Sequence, residues 1–279
     1  MIGYAGCLIQ ALCPLYDYGH TLDVLKITGP AGCGKTQLCL QLSIIAALPI
    51  ESGGLNTNVL YLDSESTFSA TRLLEIAANR FPEHLTGENS MNTLSKRILV
   101  YTINNYDSLT ASLDKIEETL IRGKVGLIVL DSVASVIRAE FHGDDSVKLS
   151  TGVSRLAATL KYLADTFRIP VIVTNQITHA SVPYQDILHD PTLSEGQESL
   201  QATAALGLTW SHSVNIRIIL QYWREDVKTF TIAKSPYTAN VTYPYTIKRE
   251  GIVIETDLQG MTVYYVCNTI YLFVFSVVL

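Results

Sequence analysis

Runs of β-branched residues and leucine alternate with amphipathic stretches along most of the chain, starting at Leu22. Each apolar run ends near a polar residue, and a segment with helical spacing of apolar positions follows it. This alternation predicts βαβ units and a mostly parallel sheet that helices cover on both faces. The predicted strands are residues 22–28, 59–63, 98–103, 125–131 and 169–175.

Two of the amphipathic stretches carry a clear helical stripe. The apolar positions of the first are Leu109, Leu113, Ile116 and Leu120, and those of the second are Leu149, Val153, Leu156, Leu160 and Leu163. Residues three, four or seven positions apart lie on one face of a helix. We therefore expect both stripes to face the core.

The pattern changes after Trp210. Apolar runs at 214–223, 228–234 and 241–254 follow one another closely, separated by turn signals such as Ser235-Pro236 and Glu250-Gly251. Consecutive strands with short breaks predict an antiparallel extension of the sheet. Residues 22–256 thus form one predicted α/β domain, preceded by an atypical segment, 1–21, and followed by an apolar tail, 257–279.

Composition supports a large core and limits the chemistry. Of 279 residues, 48% are hydrophobic and 16% are charged, so disordered, collagen-like and disulfide-scaffold proteins are excluded. The net charge of −6 provides no global basic field, so nucleic-acid contact needs a local patch or partners. Five cysteines without metal-ligand spacing favour a reduced, intracellular protein that lacks a structural zinc.

The end of the chain contributes much of the positive mean hydropathy of +0.23. Residues 262–279 carry no charge and reach the lower length limit of a membrane-spanning helix, but no basic flank accompanies them. The sequence leaves open a tail anchor, an extra strand or core segment, and a non-native end such as a translated intron. The last is favoured over a membrane anchor.

One motif between a predicted strand and a predicted helix matches the complete pattern GxxxxGK[ST]. It comprises Gly29, Pro30, Ala31, Gly32, Cys33, Gly34, Lys35 and Thr36. Its glycines let backbone N–H groups turn inward around phosphate oxygens, and the following helix adds its positive end. We expect Lys35 to reach the β- and γ-phosphates of ATP and Thr36 to ligate Mg²⁺. The predicted fold is therefore a P-loop NTPase.

Three further polar residues lie at or just after the ends of predicted strands. Asp131 ends an apolar strand as a Walker B aspartate would, and we expect it to hold Mg²⁺, although a helix cap also uses this position. Glu65 is a candidate for orienting or deprotonating water; otherwise it is a solvated loop carboxylate. Gln176, after the fifth strand, is a candidate for sensing the γ-phosphate. Its position alone does not show whether it has this role.

Two stretches fit no regular element, roughly 138–148 and 178–200. Both follow the carboxyl end of a predicted central strand, where open α/β sheets bind ligands. A structureless stretch as long as the second is usually functional or mobile.

Six ordered segments together resemble the ATPase core of RecA-family recombinases. They are ITGPAGCGKTQLCLQLS, VLYLDSESTFSATRLLEIAANRF, LIVLDSVASVIRAEF, IPVIVTNQIT, LGLTWSHSVNIRIIL and IAKSP. Among these recombinases the sequence is most similar to the B-type paralogue of the eukaryotic strand-exchange recombinase. The resemblance covers roughly residues 24–256.

The resemblance implies roles for individual residues. Glu65 matches the catalytic glutamate, Gln176 the γ-phosphate-sensing glutamine, and Arg72 an arginine that packs on adenine. The stretches 138–148 and 178–200 match the first and second DNA-binding loops, with Arg138, Lys148 and Arg155 as the candidate DNA contacts of the first. The resemblance also implies a nuclear protein of homologous recombination and double-strand break repair, a subunit that assists the main recombinase.

Departures from the family pattern refine this expectation. The first 23 residues do not match the family's N-terminal helical DNA-binding domain and linker. No lysine or arginine lies between Arg168 and Arg217, whereas the second loop carries Asp186, Asp190, Glu195 and Glu198. Because counterion release from phosphate needs cations, this loop is a poor independent DNA groove.

We therefore expect an accessory paralogue that acts as a slow DNA-dependent ATPase and does not exchange strands by itself. Its partners would be other recombinase paralogues in a hetero-oligomer, the C-type before others. Single-stranded or branched DNA would bind weakly or jointly with them, and no membrane is favoured. The alternatives are an assembly module that binds ATP without using hydrolysis, or another RecA-like motor ATPase.

Overall fold

The computed structural model describes residues 24–85, 88–140, 146–176, 210, 213–224, 226–236 and 239–255. The segments 1–21, 178–200 and 257–279 considered above lie outside these residues, so the predictions made for them stay predictions. No helix in the described ranges is both long enough and apolar enough to cross a membrane.

Within the described ranges, nine strands form a single sheet. They are β1 (Val24–Gly29), β2 (Asn58–Asp63), β3 (Ile98–Thr102), β4 (Val125–Asp131), β5 (Val171–Gln176), β6 (Ile216–Tyr222), β7 (Lys228–Lys234), β8 (Val241–Lys248) and β9 (Gly251–Ile254). Their order is β3-β2-β4-β5-β1-β6-β7-β8-β9. Pairing from β3 to β6 is parallel, and pairing from β6 to β9 is antiparallel.

Helices cover both faces of this sheet. They are α1 (Lys35–Ala47), α2 (Ala70–Arg80), α3 (Glu88–Lys96), α4 (Tyr106–Arg122), α5 (Val133–Glu140) and α6 (Ser146–Phe167). Apolar residues of α1, α2 and α3 share one core cluster with the sheet, and those of α4, α5 and α6 share the other. The two predicted stripes face the second cluster, with Leu149 only partly buried.

The antiparallel extension, β6–β9, packs over α1. The Oε1 atom of Gln41 on α1 accepts a buried hydrogen bond of 2.9 Å from the backbone N–H of Ile252 on β9. Helix α1 is apolar around most of its circumference, and this covering explains why nearly all of it is buried. The extension therefore brings β8 and β9 close to the start of α1, where the P-loop ends.

The structure confirms the mostly parallel sheet and its antiparallel extension, with the strands within about two residues of their predicted bounds. The prediction that 138–148 lies outside regular elements is wrong at both ends, because α5 continues to Glu140 and α6 begins at Ser146. Residues 141–145 lie outside the described part.

Candidate nucleotide site

The loop from Gly29 to Thr36 joins β1, at the centre of the sheet, to the start of α1. Gly32 and Gly34 have φ values of 76° and 95°, in the left-handed region that glycine adopts without steric cost. Within the described part of the chain, no side chain caps the N-terminus of α1, so its first N–H groups are open to an anionic ligand. This loop has the backbone conformation of a phosphate cradle.

Lys35 is the first residue of α1, and its ammonium group lies inside this loop. Its Nζ donates hydrogen bonds to the carbonyl oxygens of Gly29 and Pro30, at 3.0 and 2.9 Å. Burial lowers the pKa of Lys35, although Cys33, Asp131 and Glu65 act in the opposite direction. A desolvated cation at this position interacts strongly with phosphate oxygens.

Asp131 ends β4 and is almost completely buried. Its Oδ2 accepts hydrogen bonds from the Thr36 hydroxyl at 2.7 Å and from the Tyr61 hydroxyl at 2.8 Å. Its Oδ1 accepts one from the Thr174 hydroxyl at 2.5 Å. Thr36 and Asp131 thus present two hard oxygen atoms side by side, the ligand type that Mg²⁺ prefers.

The turn after β2 holds Glu65 beside Asp131. The buried carboxylate of Asp63 accepts hydrogen bonds from the backbone N–H groups of Glu65, Thr67 and Phe68, at 3.2, 3.2 and 3.0 Å. The Ser132 hydroxyl, next to Asp131 in the chain, donates a short hydrogen bond to Oε1 of Glu65. The position of Glu65 is therefore fixed from both sides.

Arg72 is tied to three elements at once. Its side chain donates hydrogen bonds to Gln37 Oε1 at 2.8 Å, Glu75 Oε2 at 2.6 Å, and the carbonyls of Lys248 and Arg249 at 2.6 and 3.1 Å. These contacts hold the planar guanidinium group between α1, α2 and the turn that joins β8 to β9. A plane fixed in this way can support a flat ring.

Most of the P-loop, Asp131, Glu65 and Arg72 line one cavity of about 850 Å³, within the size range of ligand pockets. Its lining includes Ala31, Gly32, Gly34, Lys35, Thr36, Gln37, Glu65, Thr67, Arg72, Asp131, Gln176, Ile247, Lys248 and Arg249. The phosphate loop, the Asp131 carboxylate, Glu65 and Gln176 come from the carboxyl ends of four adjacent strands, β1, β4, β2 and β5. Open parallel sheets bind ligands at this edge.

A family model for Rad51 matches residues 19–255, which is most of the chain. The chain belongs to the Rad51 family. It is 44% identical over 252 residues to DNA repair protein RAD51 homolog 2 of Homo sapiens, covering 86% of this chain and 66% of that relative. The same protein of Mus musculus is 44% identical over 244 residues, or 84% and 70% of the two chains.

A more distant relative is DNA repair protein XRCC3 of Mus musculus, 31% identical over 262 residues, or 86% of this chain and 73% of the relative. The similarity to RAD51 homolog 2 confirms the expected likeness to the B-type paralogue. Membership of the Rad51 family also confirms a RecA-like ATPase fold. The chain spans about two thirds of the length of its human relative.

Two of the candidate DNA contacts, Lys148 and Arg155, lie outside the candidate nucleotide site. The backbone of Arg138 belongs to α5, and Lys148 and Arg155 belong to α6, where both side chains are exposed. Arg155 is thus a helix residue, and its positive charge acts on Tyr106 of α4 to oppose the rise in the Tyr106 pKa that burial causes. Neither Lys148 nor Arg155 is among the residues that line the candidate nucleotide cavity.

Sequence reasoning missed several residues that shape the site in this Rad51-family chain. Asp63 carries a local signal, because an aspartate ahead of Ser-Glu-Ser-Thr is typical of a side chain that accepts N–H groups of the next turn. Tyr61 and Thr174 lie four and two positions before the predicted residues Glu65 and Gln176, but only the strand order brings them to Asp131. Tyr222 and Tyr245 carry no local signal at all.

Proposed function

We propose that this chain binds Mg-ATP at the cavity and hydrolyses it slowly, as an accessory DNA-repair paralogue of the Rad51 family. It would serve as a subunit of a paralogue complex that assists the main recombinase on single-stranded or branched DNA. One observation carries the proposal: the P-loop, Asp131, Glu65, Gln176 and Arg72 line a single cavity of about 850 Å³. The names of the relatives, which are DNA repair proteins, support the biological role.

Each part of the cavity suits one part of Mg-ATP. The P-loop N–H groups and the Lys35 ammonium would bind phosphate oxygens, and the guanidinium plane of Arg72 would support the adenine. The Thr36 hydroxyl and the Asp131 carboxylate, 2.7 Å apart, would hold Mg²⁺. Held by these two residues, Mg²⁺ would supply positive charge close to the phosphates.

Hydrolysis requires a group that orients water, and Glu65 and Gln176 are the candidates. Glu65 would accept the proton of the attacking water, and the Gln176 amide would respond to the γ-phosphate. Gln176 ends β5, and the segment matched to the second DNA-binding loop follows it. A change at the γ-phosphate could therefore pass along the chain toward DNA or a partner.

One contact favours the second candidate function, an assembly module in which bound ATP fixes a subunit interface and hydrolysis has no role. Oε1 of Glu65 already accepts a short hydrogen bond from the Ser132 hydroxyl. A carboxylate engaged in this way is a weaker acceptor for a water proton. Slow turnover is expected in both cases, so the two functions must be separated by mutation.

Comparison of Lys35→Ala with Glu65→Gln makes this separation. Lys35→Ala should abolish ATP binding, measured by titration calorimetry, because it removes the buried cation that meets the phosphates. Glu65→Gln should bind ATP normally and lose at least tenfold in turnover, as loss of a general base does. The exposed residues Lys115 and Glu117 on α4 provide the matched controls Lys115→Ala and Glu117→Gln.

Co-purification with candidate recombinase paralogues, the C-type first, tests the partner and the role of ATP together. We expect ATP-dependent association that Lys35→Ala abolishes. If Glu65→Gln keeps the association, ATP binding is sufficient for assembly; if both variants lose it equally while Glu65→Gln still binds ATP, assembly requires turnover. Normal ATP binding by Lys35→Ala would contradict the site assignment.

A further inference from the structure

Two tyrosines from the antiparallel extension reach the outer side of the P-loop. The Tyr222 hydroxyl, at the end of β6, donates a hydrogen bond of 2.8 Å to the carbonyl oxygen of Ala31. The Tyr245 hydroxyl, on β8, donates a short hydrogen bond to the carbonyl oxygen of Cys33. These tyrosines lie 191 and 212 positions away from their acceptors in the sequence.

The two contacts differ in burial. Tyr245 is completely buried, and burial raises the pKa of its hydroxyl, so the group stays protonated and acts as a donor. Cys33 is completely buried as well, and a buried carbonyl that loses its hydrogen bond is costly. Tyr222 is 50% exposed, so water can partly replace its hydroxyl.

These carbonyls belong to the peptide units that carry the N–H groups of Gly32 and Gly34. A trans peptide bond is planar, and its C=O and N–H point in opposite directions. A hydroxyl that holds the Ala31 carbonyl outward therefore turns the Gly32 N–H away from the tyrosine, and Tyr245 does the same for the Gly34 N–H. Gly32 and Gly34 both line the cavity.

The peptide units that precede Gly32 and Gly34 can rotate more easily than most, so a hydrogen bond that fixes their orientation has a larger effect. Gly32 and Gly34 both have positive φ, and a glycine can rotate its neighbouring peptide planes into other conformations at little steric cost. A rotated peptide would present a carbonyl oxygen to the phosphates, where a donor is required. A hydrogen bond on the far side of each plane opposes that rotation.

We propose that Tyr222 and Tyr245 are positioning residues that hold the P-loop N–H groups of Gly32 and Gly34 in their phosphate-binding orientation. The inference rests on the proposed nucleotide site and adds to it a role for the antiparallel extension. Strands β6 and β8 contribute the two hydroxyls, so the extension sets the geometry of a loop on the parallel part of the sheet.

Substitution by phenylalanine tests the role, because it removes only the hydroxyl. Tyr245→Phe should weaken Mg-ADP and Mg-ATP binding by the same factor, roughly three- to tenfold, the usual effect of one buried hydrogen bond. Tyr222→Phe should weaken both by less, about two- to threefold, because its site is half exposed. Turnover at saturating ATP should be unchanged, since neither hydroxyl contacts the water-activating groups.

The exposed Tyr162 on α6 provides the control variant Tyr162→Phe, which should bind both nucleotides as the unchanged protein does. Thermal unfolding without nucleotide checks that each variant is folded, and Tyr222→Phe keeps the test available if Tyr245→Phe is unstable. Unchanged ADP affinity in folded variants would overturn the inference, as would a loss confined to turnover. Lys35→Ala distinguishes failure of this inference from failure of the proposed function. If Lys35→Ala binds ATP normally, the assignment of the nucleotide site is wrong.

Discussion

At the scale of single residues, the buried pair Lys26 and Arg217 stands out. Lys26 lies in the middle of β1, is 1% exposed, and pairs in register with Arg217 on the adjacent parallel strand β6. Residues paired in this way lie on the same face of the sheet. Burial, and then the positive charge of Arg217, lower the pKa of Lys26 to about 7. Two cations buried side by side destabilise the folded chain.

We expect Lys26→Met to stabilise the protein, by roughly 1–3 kcal/mol near neutral pH, because methionine fills similar space without a charge. The sign of the pH dependence follows from the lowered pKa. Between about pH 7 and 10.5 the unfolded chain keeps a proton that folded Lys26 loses, so the contribution of Lys26 to the stability of the unchanged protein rises with pH in this window. It should be level below the window.

Denaturant unfolding at pH 6.5, 8 and 9.5, at constant ionic strength, measures both effects. Lys26→Met should show a smaller rise in stability than the unchanged protein, because Lys35, whose pKa burial also lowers, keeps its own part of the rise. Lys115→Met, at an exposed position on α4, should keep that rise. Identical slopes for the unchanged protein and Lys26→Met would show that Lys26 does not change its protonation on folding.

Single residues also show how far the sequence predicts the site. Lys35 and Thr36 could be identified because their function needs neighbours that are consecutive in the chain. Asp131 and Glu65 could be placed because parallel strands end at a common edge. Tyr245 could not, because its contact depends on how β8 packs over α1, which no local pattern encodes.

At the scale of elements, hydrophobic patterning located the strands and the antiparallel extension. The hydrophobic pattern failed at residues 138–148, where the charged residues at the end of α5 and the start of α6 resemble a loop sequence. Polar residues at helix ends satisfy free backbone groups and resemble those of loops. The turn signal at Glu250-Gly251 was correct, since it separates β8 from β9.

The hairpin of β8 and β9 can be tested through Gly251. Its φ is 92°, and a Cβ atom there would lie 2.6 Å from Gln41 Oε1, the acceptor of the buried Ile252 hydrogen bond. Gly251→Ala should therefore lower the free energy of unfolding by roughly 2–4 kcal/mol, from backbone strain and a displaced buried acceptor. ATP binding should also weaken, because the carbonyls of Lys248 and Arg249 that hold Arg72 belong to this hairpin.

Gly53 offers a matched comparison. Its φ is 76°, and a Cβ atom there would meet nothing within 4 Å. Gly53→Ala should therefore cost roughly 1 kcal/mol from backbone strain alone and leave ATP affinity unchanged. Equal losses of stability in the two variants, measured by denaturant unfolding, would show that contact with Gln41 contributes nothing.

At the scale of the whole molecule, the distribution of charge supports the proposed role of a subunit that binds DNA together with partners. The net charge is −6, and no lysine or arginine occurs between Arg168 and Arg217, where the family resemblance puts the second DNA-binding loop. Of the three candidate cations of the first loop, Lys148 and Arg155 lie exposed on α6 and do not line the candidate nucleotide cavity. The proposed ATP site is thus combined with a second loop that lacks lysine and arginine.

We therefore expect the isolated protein to bind single-stranded DNA weakly, with a Kd on the order of 10 μM or higher near physiological salt and a shallow salt dependence, because few counterions are released. Fluorescence anisotropy with a labelled oligonucleotide at several salt concentrations, with and without ATP, measures both quantities.

Neutralising Asp186, Asp190, Glu195 and Glu198 together, as Asp→Asn and Glu→Gln, should increase the affinity by removing repulsion of phosphate. The matched control neutralises Asp114, Glu117 and Glu118 on α4 and should have little effect. Sub-micromolar, strongly salt-dependent binding by the unchanged protein would contradict a partner-dependent role, since such binding needs a continuous set of cations in this chain itself.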